Sequence, residues 1–118
     1  MSATKIVLAG VLAIVVLAST ASAATPIKGA VYKGRAGDSA KVRIKVSSTG
    51  KRLTFVLSCY GSEAVRITGV KITNGRFTAY KPGFAARGRF ATRRKAKGSI
   101  SGNACFLSSS QSFRATKT

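Results

Sequence analysis

The stretch Lys41–Cys59, KVRIKVSSTGKRLTFVLSC, decides the fold. Val42, Ile44 and Val46 alternate with Arg43 and Lys45. Leu53, Phe55, Leu57 and Cys59 then alternate with Thr54, Val56 and Ser58, the period-two pattern of half-buried strands. Folding back across Thr49-Gly50, or across a four-residue loop in the same register, sets Val46 against Leu53, Ile44 against Phe55 and Val42 against Leu57. One face is then apolar throughout, and a slip of one residue would turn it to solvent.

The flanking chain repeats the pattern. Upstream, Ile27 to Gly34 reads as a first strand and Arg35 to Asp38 as a turn. Downstream, Val65 and Ile67 fall in one phase while Val70 and Ile72 fall in the other, which predicts a bulge or break at Gly69. Asn74-Gly75 predicts a tight hairpin in which Ile72 meets Phe77 and Val70 meets Ala79. Lys81-Pro82-Gly83 is a second turn. The segment from Phe84 to Thr92 alternates, with Phe90 inward and Arg87 and Arg89 outward. The chain then returns through Ala96, Gly98 and Ile100. Cys105 to Leu107 reads as a short strand, and Gln111 to Thr116 as the last, with Phe113 and Ala115 inward.

About eight short antiparallel strands joined by short turns make an all-β meander, with a barrel favoured over a sandwich. Phe55, Phe77, Phe90, Phe106 and Phe113 supply the large core side chains, and a barrel of this strand count is filled by its own residues.

Ahead of this domain, Lys5 precedes an uncharged run from Ile6 to Ala18 and a small-residue ending at Ala21-Ser22-Ala23. Residues 1–23 therefore read as a signal peptide and residues 24–118 as one secreted β-domain without a transmembrane segment. The competing reading is a retained membrane anchor, against which the apolar core falls short of the ~20 residues a spanning helix needs. Cys59 and Cys105, an even pair in an exported chain, read as a disulfide rather than as buried thiols or half of a metal site. For a core this small, closing such a loop stabilises by ~4 kcal/mol.

Several elements together resemble the small secreted all-β proteins of unknown function common in actinobacteria. They are Tyr32 to Gly34, the strand ending in Cys59, the turn from Asn74 to Phe77, Gly88 to Phe90, Lys97 to Ile100, and Cys105 followed by Ser112 to Ala115. The likeness covers the whole mature chain and implies a fold, but it carries over no activity or binding residue. This chain departs from the group in being unusually basic.

That basicity is the strongest functional signal. The chain holds 21 Lys and Arg against 2 acidic residues, and removing Lys5 with the leader leaves 20 against 2, a balance of +18. Asp38 and Glu63 cannot neutralise the rest, so the surplus is met by repulsion or by outside counter-ions. Six cations crowd into the eleven residues from Arg87 to Lys97, RGRFATRRKAK. On the expected hairpin Arg87, Arg89 and Lys97 share the outer face, and Arg93, Arg94 and Lys95 crown the turn. This is the candidate polyanion-binding site.

Catalysis has few materials. There is no histidine to act as acid or base, and the serines lack an activating neighbour of recognisable spacing. Asp38 and Glu63 emerge at the same end of the central hairpin, the arrangement of a carboxylate pair. The simpler reading has Asp38 in a turn and Glu63 paired with a nearby cation. No nucleotide or metal motif occurs, so no cofactor or metal is expected. The sequence thus points to an extracellular, non-enzymatic domain that adsorbs to anionic cell-envelope or extracellular polymer. The alternatives are a scaffold without a dedicated ligand and a cationic antimicrobial effector. Export argues against intracellular nucleic acid as a partner.

Overall fold

The computed structural model describes residues 23–118 apart from 103 and 107–109. The expected leader therefore lies outside the described residues, as do Leu107 and the side chain of Phe106. The described chain is all-β, with strands β1 (Val31–Ala36), β2 (Ala40–Val46), β3 (Arg52–Cys59), β4 (Ser62–Lys71), β5 (Arg76–Lys81), β6 (Phe84–Thr92), β7 (Lys95–Gly102) and β8 (Gln111–Lys117). All neighbours pair antiparallel in the order β4-β3-β2-β1-β8-β7-β6-β5, so one sheet rolls into a nearly closed barrel with its seam between β4 and β5. This is the expected meander, closed by β1 on β8.

The β2–β3 register matches the expectation, with Val46 opposite Leu53, Ile44 opposite Phe55 and Val42 opposite Leu57. Of two bulges on β4, one lies where the phase change puts it and the other falls at Ala64. Leu53 pairs with Val70 but Phe55 pairs with Ile67, so β4 carries one extra residue at Thr68–Gly69, with Gly69 at φ 66°. Asn74 and Gly75 both have positive φ, as a type I′ turn demands.

Three details differ from the sequence reading. The hairpin at Asn74-Gly75 forms only the Thr73–Arg76 bridge, so Ile72 with Phe77 and Val70 with Ala79 do not continue as a ladder. The bulge at Gly69 bends β4, and the strands splay to leave the seam. The first strand begins at Val31, because Ile27–Ala30 form a turn in which the Ala30 amide donates to the Ile27 carbonyl (3.2 Å). Cys105 lies in a 3₁₀ turn at Ala104–Phe106, not in a strand, and its φ of 59° is incompatible with extended backbone.

Tyr32, Phe55, Phe90 and Phe113 are the largest fully buried side chains, and Phe77 and Phe84 join them. Their rings form a continuous set: Tyr32 edge-on to Phe90 (5.1 Å), Phe90 to Phe77 (5.9 Å), Phe77 to Phe55 (6.4 Å), and Phe55 to Phe84 and Phe113 (6.1 and 5.7 Å). Such ring pairs stabilise beyond the area they bury. Alanines 36, 40, 79, 86, 96 and 115 fill the narrower places.

Both ends of the barrel are tied. At one end Cys59, closing β3, is bonded to Cys105, with Cα atoms 5.4 Å apart. At the other, residues 24–30 cross from β6 to β2: the Ala24 amide donates to the Phe90 carbonyl (2.7 Å), and the Val46 amide to the Ala30 carbonyl (2.9 Å). The Tyr32 hydroxyl accepts from the Ile27 amide (3.0 Å) and donates to the Arg93 carbonyl, joining this crossing to the β6–β7 turn.

Candidate polyanion interface

Alternation sends the apolar residues inward, so the cations between them are left on the outer wall. The register then aligns them. Arg76 stands opposite Arg89, Arg89 opposite Lys97, Lys97 opposite Arg114, Arg114 opposite Arg35, and Arg35 opposite Lys41. Six cations thus occupy one unbroken cross-strand row on six successive strands. At a strand spacing of ~4.8 Å the row extends for roughly 24 Å along the wall. Like charges in directly opposed positions destabilise a sheet, so the row has an energetic cost in the free protein.

A second row lies two residues away. It runs from Lys95 through Thr116, Lys33, Arg43 and Val56 to Arg66. Val56 points outward yet is only 8 % exposed, and it lies in a small depression with Arg43, Lys45, Thr54 and Arg66, whose alkyl stems cover it.

The first row crosses a groove of about 400 Å³, lined by Arg76, Arg87, Arg89, Lys97 and Arg114 with Ser99 and Ser112. Its floor has a local cause. Gly88 and Gly98 are cross-strand partners, and Gly98 also faces Phe113. All three positions point inward. A Cβ on Gly98 would lie 2.7 Å from the Phe113 ring, 2.6 Å from the Gly88 Cα and against the Arg87 carbonyl oxygen. With no side chain at either glycine, the strands sink onto the Phe113 ring, and the outer wall is dented where the cations converge.

Of the six residues singled out from sequence, Arg87, Arg89 and Lys97 line this groove. Lys95 begins the second row. Arg93 and Arg94 lie in the exposed β6–β7 turn, where the Arg93 carbonyl accepts from Tyr32 and the Arg94 carbonyl from the Lys117 amide (2.8 Å). Sequence reasoning missed Arg76, Arg114, Arg35 and Lys41. Arg76 was within reach, because a two-residue turn at Pro82-Gly83 already fixes it opposite Arg89. Arg114 was not, because the connection from β7 to β8 is long and does not set a register. Arg43 and Lys45 share the outer wall, with Arg43 in the same row as Lys95.

Glu63 is bound to Arg66: its Oε1 lies 2.7 Å from one terminal guanidinium nitrogen, and Nε donates to both carboxylate oxygens at 3.1 Å. The hydrogen bond from Arg66 holds the Glu63 carboxyl below its usual pKa, and the carboxylate in turn raises that of Arg66. No group of three or more potential metal ligands occurs among the described residues. Nor is any described helix long and apolar enough to cross a membrane.

No protein-family model, curated protein or solved structure matches the chain.

Proposed function

We propose that this chain is an exported, non-enzymatic β-domain that adsorbs electrostatically to linear anionic polymers of the cell envelope or extracellular space. The observation that carries this reading is the row from Arg76 to Lys41, six cations in register with no carboxylate among them. A surface serving only solubility gains nothing from opposing like charges directly, whereas a polymer bearing regular negative charge relieves every one of these repulsions at once. The Cys59–Cys105 bridge is compatible with an oxidising compartment. Glu63 is engaged by Arg66, the simpler of the two readings of that carboxylate.

Co-sedimentation with insoluble anionic and neutral polysaccharide at low ionic strength tests this reading. Retention on the anionic material, reversed by salt and absent on the neutral one, is the expected result. Equal retention on both, or on neither, would leave the scaffold reading in place.

A further inference from the structure

The groove over Gly88 and Gly98 differs from the other depressions of the cationic wall in collecting its donors from four strands. Arg76 comes from β5, Arg87 and Arg89 from β6, Lys97 and Ser99 from β7, and Ser112 and Arg114 from β8. Ser99 and Ser112 are cross-strand partners, so two hydroxyls sit together beside the cations. Four of the five cations are arginines, whose planar forks match phosphate oxygens two at a time.

The groove offers no ring to stack on. Phe113 belongs to the core and is 1 % exposed, and the exposed rings of Tyr60 and Tyr80 lie outside the lining. Single-stranded nucleic acids are held by stacking bases on such rings as well as by charge. A site with many anion donors and no stacking surface suits a chain that presents little besides its charged groups.

We propose that this groove is a phosphate subsite, and that the polymer it takes is a ring-free phosphate chain. Both a polyol-phosphate and an inorganic polyphosphate present that chemistry. This inference rests on reading the outer wall as polyanion-binding. One phosphate seats among Arg89, Lys97 and Arg114 with the Ser99 and Ser112 hydroxyls at its edge. The chain then leaves along the row toward Arg35 and Lys41, where successive cations meet the following charges.

The test is a titration of the purified protein with poly(glycerol phosphate), inorganic polyphosphate and polygalacturonate, matched in charge and ionic strength. Both phosphate polymers are expected to bind tighter than the polycarboxylate, because a phosphate group has oxygens for the paired Ser99 and Ser112 hydroxyls as well as for the cations; the stronger of the two identifies the source. The triple variant Arg89→Gln, Lys97→Gln, Arg114→Gln is expected to abolish that preference. Removal of the same charge at Lys51, Lys71 and Lys81 should leave it in place. Independently of any variant, titrating the wild type with glycerol 3-phosphate should shift the amide resonances of Gly88, Gly98 and Arg114 before those of the β6–β7 turn. If the carboxylate polymer binds equally well, or the two triple variants lose equally, the subsite is refuted while polyanion binding stands. If none of the three polymers binds, both fall.

Discussion

Arg35 and Arg114 stand directly opposite each other on β1 and β8, with Lys41 and Lys97 continuing the row on either side. The strands that close the barrel are therefore held together by their backbone ladder and their inward residues, against a repulsion on the outer wall.

Relieving that repulsion should stabilise the free protein while weakening its attachment to polymer. Arg114→Thr places a good strand former at the position and is expected to raise the unfolding free energy at low salt by about 0.2–1 kcal/mol. In the wild type the melting temperature should rise as salt goes from about 0.01 M to 0.15 M, where the screening length falls from ~30 Å to ~8 Å. The variant should show a smaller rise. Urea titrations and thermal melts at the two salt concentrations measure the two effects, and a destabilised variant would show that Arg114 serves the fold.

The dent in the wall depends on having no side chain at Gly98. Gly98→Ala puts a methyl group against the Arg87 carbonyl, the Gly88 Cα and the Phe113 ring. Two of these contacts are backbone and cannot swing aside, so a loss toward the upper end of about 1–3 kcal/mol is expected. Chemical denaturation of the single variant gives the value, and an unchanged midpoint would mean that the strands do not approach as described.

The disulfide joins residues separated by 46 positions. In the chain-entropy account, opening that loop costs about 4 kcal/mol, a large part of the stability of a domain this small. The double variant Cys59→Ala, Cys105→Ala should melt far below the oxidised wild type and gain a steeper salt dependence, since repulsion then acts on a weaker fold. Calorimetry on the two proteins checks this.

With no histidine and a disulfide-bonded cysteine pair, no side chain has an ordinary pKa between 5 and 8. Stability and polymer binding should both be flat across that range. Glu63 has a folded pKa lowered by Arg66, so its contribution is complete above the unfolded carboxyl value and is lost as pH falls through the folded one. Because the pair is exposed, the decline below about pH 4.5 should be small. Glu63→Gln should remove the part due to this pair. A midpoint that moves between pH 8 and pH 5 would contradict the assignment.

Local alternation made most of the fold readable. Val42, Ile44 and Val46 against Leu53, Phe55 and Leu57 specify a register because any slip exposes them, and the phase change around Gly69 marks a bulge because an extra residue is what reverses a face. Tyr32 was harder to place, since its hydroxyl is satisfied by Ile27 and Arg93, partners that only the closed barrel brings near. The seam was hidden for a related reason: Asn74-Gly75 specifies a turn but not how far the strands stay paired beyond it. The same limit applies to the interface. The cations of one hairpin, Arg87, Arg89 and Lys97, follow from local pairing, whereas their alignment with Arg114, Arg35 and Lys41 requires the pairing of the first strand with the last.

The salt dependence of polymer binding tests the aligned row most directly. Neutralising four to five phosphates of poly(glycerol phosphate) should give log affinity against log salt a slope of roughly −3 to −4. Removing Arg35, Lys97 and Arg114 together should bring that slope about 2 closer to zero, while removing Lys51, Lys71 and Lys81 should barely change it. A slope altered equally by both sets of substitutions would mean diffuse attraction to net charge, and the row would then have no role of its own.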